Sequence, residues 1–310
     1  MLTADAPIDA PAAAAVMARA RTENFPVSSR VLPRSERRHL LAVYGFARLV
    51  DELGDSTAGE RPGAAAGTED AAALAAEQRL AALDWLEWEL ERAFAGEAEH
   101  PLLVGLGATV RECGLAREPF VRLIEANRVD QRVNRYETWA QLRDYCALSA
   151  DPVGEIVLGV FGLATPERIA LSDSICAALQ LTEHCQDVAE DLARGRVYLP
   201  AEDLRRFGCE ESELAQAHAG GPLREVLAFE VARARALLAD GAPLLAQLRG
   251  RPRLAVAAFA AGGLAALDAI ERARYDVLAG PPSAGSLRRL AALWPALRAA
   301  RAEAPRSESR

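Results

Sequence analysis

Two short segments carry carboxylates at a spacing that can do chemistry. In Tyr44-Gly-Phe-Ala-Arg48-Leu-Val-Asp51-Glu52-Leu-Gly-Asp55 the aspartates stand at i and i+4, about 40° apart on one helix face. Arg48 and Tyr44, three and seven residues before Asp51, share that face. The second segment, Gln180-Leu-Thr-Glu183-His184-Cys-Gln186-Asp187-Val-Ala-Glu190-Asp191, repeats the pattern, with Gln180, Glu183, Asp187 and Asp191 on one face. It runs into Arg194-Gly-Arg196-Val-Tyr198-Leu-Pro200, which ends the helix and supplies two cations. Like charges 4 Å apart repel by about 4 kcal/mol at an effective dielectric constant near 20, so such faces call for a counter-ion. The ligands are oxygens only, which suits Mg²⁺, a hard ion that keeps waters and shares phosphate oxygens. Arg48, Arg194 and Arg196 suit bidentate phosphate contacts. The expected object is a cavity between helices whose acidic rims hold Mg²⁺ and a diphosphate. Plain solvated acidic faces are the alternative. A di-iron bundle would want Glu-x-x-His, but His184 directly follows Glu183, and no paired Cys/His spacing suits zinc.

The elements that must position these residues are helices. Ala, Leu, Glu and Arg fill long segments with 3.6-residue periodicity, and alternating β-branched runs are absent. The pattern predicts helices near 35–54, 69–95, 101–113, 117–134, 138–163 with a break near Pro152, 166–193, 210–218, 221–248, 252–279 and 285–302. Thr138 reads as a cap and Pro166 as a first-turn proline. Residues 56–70 read as a flexible loop, and 1–20 and 303–310 as loose ends flanking one all-α domain over 21–302. The apolar run Leu254–Leu267 falls short of the roughly 20 residues of a spanning helix and reads as a buried one. Gly262-Gly263 within it would allow close helix approach or a kink.

Composition narrows the function classes. The 310 residues are 51% hydrophobic and 26% charged, enough for a sizeable core. A net charge of −8 argues against nucleic acid as partner. All 36 basic residues are Arg, so lysine Schiff-base and P-loop lysine mechanisms are excluded. Five scattered Cys without C-x-x-C fit a reducing cytoplasm, and the Ala- and Pro-rich start makes a poor signal peptide. Phe25, Phe46 and Phe161 could turn a ring face to a cation, although packing is the plainer role. His39 and His218 read as surface residues. His184 reads as a packing or surface group, with proton carriage as the alternative.

At these residues the chain resembles the squalene/phytoene synthase family, over roughly Glu23 to Val277. The resemblance rests on the two acidic segments, on Tyr145-Cys146 with Ser149-Ala150 and Val153-Gly154, on Arg194 to Pro200, and on Tyr275-Asp276-Val277. It implies an all-α isoprenoid synthase bundle with a central tunnel, acting on prenyl diphosphates with Mg²⁺. Carried over by position, Asp51, Asp55, Asp187 and Asp191 would bind metal, Tyr44 and Arg48 would contact diphosphate, and Tyr145 would face the reacting carbons. Phe25, Gln180, Arg194 and Arg196 are the remaining substrate-binding candidates.

Within the family, Glu23-Asn24-Phe25-Pro26-Val27 resembles the hydroxysqualene synthases of bacterial hopanoid pathways. That implies a lyase taking presqualene diphosphate and water to hydroxysqualene and diphosphate. Peripheral contact with the inner membrane and with neighbouring enzymes of squalene synthesis is left open. A condensing synthase making presqualene diphosphate, squalene or phytoene is the rival, as is a non-catalytic assembly factor of the same fold. The chain departs from the family pattern in three places. Glu183 stands where Asn is usual and could be a further metal ligand or repel diphosphate, Asp51 is followed by Glu52 rather than Asp, and no basic residue follows Tyr275-Asp276-Val277.

Overall fold

The computed structural model describes residues 13–19, 33–55 and 69–282. Among these, the only β pairing is one isolated bridge, and the all-α expectation holds. The chain forms two compact units. Within the described residues the first runs to Val133 and includes Gly159–Gly162, and the second comprises Asn134–Leu158 and the chain from Leu163 onward.

The first unit holds α1 (Ala13–Arg19), α2 (Arg34–Asp55), α3 (Glu69–Ala95), α4 (Pro101–Cys113) and α5 (Glu118–Val129). Local signals set their ends. Pro101 opens α4, and Gly114 closes it in the left-handed region at φ 64°, its N–H bonded to the Val110 carbonyl. Within the segment expected to be loose, α1 is helical, and its Val16 is buried with α1 packed on α2. Phe46 on α2 meets Phe120 on α5 edge-on at 5.3 Å, which makes Phe46 a core packing residue. His39, expected at the surface, is buried. Its Nδ1 lies 3.1 Å from Thr109 Oγ1 on α4, a partner 70 residues along the chain that no local pattern signals.

Further along the chain come α6 (Trp139–Ser149), α7 (Asp151–Val160), α8 (Pro166–Gln186), α9 (Val188–Ala193), α10 (Ala201–Arg206), a 3-10 turn (Glu211–Ala215), α11 (Gly221–Gly241), α12 (Pro243–Gln247) and α13 (Gly250–Arg272). Thr138 Oγ1 accepts from Gln141 N at 3.3 Å, and Thr165 Oγ1 accepts from Arg168 N at 3.4 Å. The helix predicted over 166–193 divides at Asp187, whose φ of −101° and ψ of 17° leave the helical well. The helix predicted over 221–248 likewise divides, at Ala242 before Pro243. In the second unit α8 packs along α11 and α13. A Cβ at Gly263 would stand 2.5 Å from Leu179 Cδ2, so α13 comes close to the Leu179 side chain of α8 at this glycine. By length and composition α13 could cross a membrane, at 23 residues, yet half of its most apolar window is buried inside the protein. That matches a core helix. The helix predicted over 285–302 and the segments 1–12 and 303–310 lie outside the described residues.

Tyr275-Asp276-Val277 proves structural. Arg274 and Tyr275 both take positive φ, 53° and 58°, which swings Asp276 back toward the start of α11. There its carboxylate accepts from Ala219 N at 2.9 Å, lies 3.0 Å from His218 Nδ1 and accepts from Arg224 Nη2 at 3.2 Å. The Ala219 N–H first, then His218, hold the carboxyl below its ordinary range, so its contribution is present above that range and is lost on acidification. Asp276→Ala strands the Ala219 N–H and is expected to lower unfolding stability by about 1–3 kcal/mol at neutral pH. Urea denaturation checks this, and kcat should stay near wild type.

Candidate active site

In the first unit α2 presents the Tyr44-to-Asp55 segment. Tyr44 is buried at 7% exposure, Arg48 is half-buried, and Asp51 and Asp55 are exposed on the last two turns. Arg48 Nε lies 3.4 Å from Glu52 Oε1, so the Glu that follows Asp51 engages the arginine expected at the diphosphate. No basic residue stands in the last turn of α2. Asp51, Glu52 and Asp55 thus crowd the negative end of the helix dipole, which a bound cation would relieve.

Sequence reasoning missed how this end is held. A Cβ at Gly54 would collide with the Asn127 carboxamide on α5, so Gly54 is needed for the two helices to meet. Gln131 Nε2 then donates to the Gly54 carbonyl at 3.0 Å. Only the glycine inside the acidic motif hinted at this.

In the second unit the acidic segment straddles the break between α8 and α9. Asp187 occupies the break, and its N–H still donates to the Glu183 carbonyl at 2.9 Å. Asp191 N donates to the Asp187 carbonyl at 2.8 Å, which keeps one turn of register between the aspartates. Asp187 is half-buried. Desolvation raises its pKa, Glu190 adds to the rise, and Arg194 opposes it. Glu183, expected as a further ligand, is exposed one turn before Asp187. Arg194 is exposed and Arg196 half-buried on the turn that Gly195 closes at φ 78°. Arg135 braces that turn, donating to the Gly195 carbonyl at 2.6 Å while pairing with Glu211 at 2.6 Å.

The chain after this turn lies beside 134–137. Val197 N donates to the Asn134 carbonyl at 2.9 Å, and Ala201 N donates to the Tyr136 carbonyl at 2.9 Å. This lacing sets Tyr198 at the centre of an aromatic group. His184 stacks on it at 3.9 Å and 14°, Tyr145 lies at 5.5 Å, and Tyr136 lies at 5.8 Å. Tyr145 was expected near the reacting carbons and is buried within this group. Tyr136 and Tyr198 were not anticipated as aromatic partners. Gln180, expected to bind substrate, has its Nε2 3.2 Å from His184 Nε2. Burial holds the His184 imidazole neutral, its pKa lowered to about 3, so the ring stays uncharged near neutral pH. Phe25 and the Glu23–Val27 segment lie outside the described residues.

Within neither unit, among the described residues, do three His, Cys, Asp or Glu side chains converge closely enough to cage a metal. Each aspartate pair would therefore share an ion with other oxygens. That is how Mg²⁺, with its retained waters and phosphate ligands, binds to one or two carboxylates. The donor set fits that ion.

An all-α chain with two acidic helix segments, arginines and a buried aromatic group has the make-up of an isoprenoid synthase. The chain belongs to the squalene/phytoene synthase family, whose profile matches residues 18–294. A hydroxysqualene synthase from Sinorhizobium fredii is 34% identical over 230 residues, 74% of this chain and 72% of the relative. A phytoene synthase from Arthrospira platensis is 32% identical over 272 residues, 82% of each chain. Among solved structures, squalene synthase HpnC from Alicyclobacillus acidocaldarius is similar at 45% identity and a TM-score of 0.72, covering 85% of this chain and 93% of that one.

Proposed function

We propose that the protein converts presqualene diphosphate and water into hydroxysqualene and diphosphate. The observation that carries this reading is the 45% identity to HpnC over 85% of the chain, together with the hydroxysqualene synthase relatives. Asp51, Asp55, Asp187 and Asp191 would hold Mg²⁺, with exposed Glu183 adding negative charge beside Asp187. When bound, the ion supplies charge neutralisation of the diphosphate leaving group. Arg48, Arg194 and Arg196 bind the diphosphate oxygens and oppose its return to the cation. The faces of Tyr198, Tyr145 and Tyr136 stabilise positive charge on the hydrocarbon. Water then adds to the rearranged cation and loses a proton, so the carbon skeleton needs no reductant. Cytoplasmic location, peripheral inner-membrane contact and proximity to other enzymes of squalene synthesis belong to the same proposal, as suits a C30 lipid substrate.

Phytoene synthases at 32% identity and a presqualene diphosphate synthase at 33% favour a second reading, a condensing synthase joining two prenyl diphosphates. One experiment separates them. The purified protein with Mg²⁺ is given presqualene, farnesyl or geranylgeranyl diphosphate, each with and without NADPH. Hydroxysqualene from presqualene diphosphate, independent of NADPH, is the expected product. Squalene formed only with NADPH, a C30 product from farnesyl diphosphate alone, or phytoene from geranylgeranyl diphosphate would overturn the first reading.

A further inference from the structure

His184 has no part in the reaction as proposed, yet it meets Tyr198 and Asp191, which do. Its ring is buried on α8, with Nε2 3.2 Å from Gln180 Nε2 and its face stacked on Tyr198 at 3.9 Å. Its Nδ1 faces Asp191 Oδ2 at 3.9 Å. Because the Gln180 amide nitrogen can only donate, Nε2 accepts, and the single proton of the neutral ring sits on Nδ1, the atom turned toward Asp191. The separation exceeds a hydrogen bond by less than 1 Å, roughly the reach of a small side-chain adjustment. His184 belongs to α8 and Asp191 to α9, so this contact spans the break at Asp187. Rotation at that break changes how far apart the two aspartates point. A donor anchored on α8 limits that rotation.

We propose that His184 is a positioning residue. Its Nδ1–H orients the Asp191 carboxylate across the α8–α9 break, and its face fixes the Tyr198 ring, so that cation ligand and aromatic wall are set by one side chain. This rests on the reading of Asp191 as a cation ligand. Outer partners that orient a ligand typically change metal affinity by about 10-fold or more when removed. A residue that only filled space would change stability instead.

The test uses Mn²⁺ as a paramagnetic probe, titrated by electron paramagnetic resonance into the full-length protein with inorganic diphosphate. His184→Phe keeps a ring against Tyr198 and loses the N–H. His184→Gln restores a donor. The expected result is Mn²⁺ binding weakened about 10-fold in His184→Phe and largely recovered in His184→Gln. Should His184→Phe not fold, His184→Leu against His184→Gln gives the same comparison. Wild-type Mn²⁺ binding without the donor, or no recovery in His184→Gln, overturns the positioning role. Asp191→Asn separates the two readings. Unchanged Mn²⁺ binding there defeats Asp191 as a ligand, and with it this proposal. Binding lost in Asp191→Asn but intact in His184→Phe defeats the positioning role alone.

Discussion

Asp55→Asn and Asp187→Asn are each expected to lower kcat/KM on presqualene diphosphate by about a hundred- to ten-thousand-fold, the scale of losing charge stabilisation at a departing group. The fold should survive, because neither side chain belongs to the buried core. Stability should even rise. Asp55 ends α2 with no basic residue in the last turn, so removing its charge relieves the helix terminus. Asp187 is half-buried with a raised pKa, and such an acid destabilises the fold as pH climbs past its unfolded value. Lost activity with an unchanged or higher melting temperature marks residues kept for function. Mg²⁺ with diphosphate should raise the wild-type melting temperature and do so less in either variant. Near-normal turnover in both, with unaltered Mg²⁺ dependence, would remove the aspartates from the site.

The second large effect concerns a buried charge group in the second unit. Glu230 on α11 is 0% exposed, and Arg233 Nη1 donates to both of its oxygens at 2.7 Å and to Asp203 on α10 at 2.9 Å. Arg233 also lies over the Trp139 ring of α6 at 4.7 Å, so one guanidinium ties together α10, α11 and α6. It serves two buried carboxylates and can neutralise only one. Desolvation pushes the Glu230 pKa up to about 8, Arg233 pulls it down in part, and the hydrogen bond with Asp203 raises it further.

The sign follows from proton counting. Between the ordinary glutamate pKa and about 8, the folded state keeps a proton on Glu230 that the unfolded chain has lost. Stability therefore falls as pH rises through that window, by about 1.4 kcal/mol per unit for one proton, and levels off above it. Glu230→Gln imitates the neutral acid. It should leave stability at pH 5 nearly unchanged, raise it at pH 8.5 by several kcal/mol (on the order of 3–5), and flatten the profile. Urea unfolding at the two pH values measures this. A wild-type profile that rises from pH 5 to 8.5, or a variant weaker at both, would show that Glu230 is ionised in the folded protein.

Much of the local structure around the candidate site was legible because its signals are local. Helical periodicity placed α2, α3 and α4 within about a residue of their ends. The i, i+4 aspartates, the Thr138 cap and the first-turn Pro166 all act within one turn, which a linear pattern records. The pairing of Arg48 with Glu52 is equally local, although sequence reasoning sets Arg48 at the diphosphate instead.

What the chain's own order determined, then, is the helices and the spacing of carboxylates upon them. The tertiary structure alone decided what surrounds them. Tyr198 joins Tyr136, Tyr145 and His184 because the stretch after Gly195 laces against 134–137, about 60 residues back in the chain. Nothing local in the sequence singles out Glu230, and packing puts it out of reach of water with half a share of one arginine. His39 finds Thr109 in the same way. The physical reason is range. Capping, periodicity and i, i+4 contact are set by bonds within a turn. Desolvation, ring stacking and buried charge balance depend on which distant segment arrives at the same place, and no spacing along the chain encodes that partner.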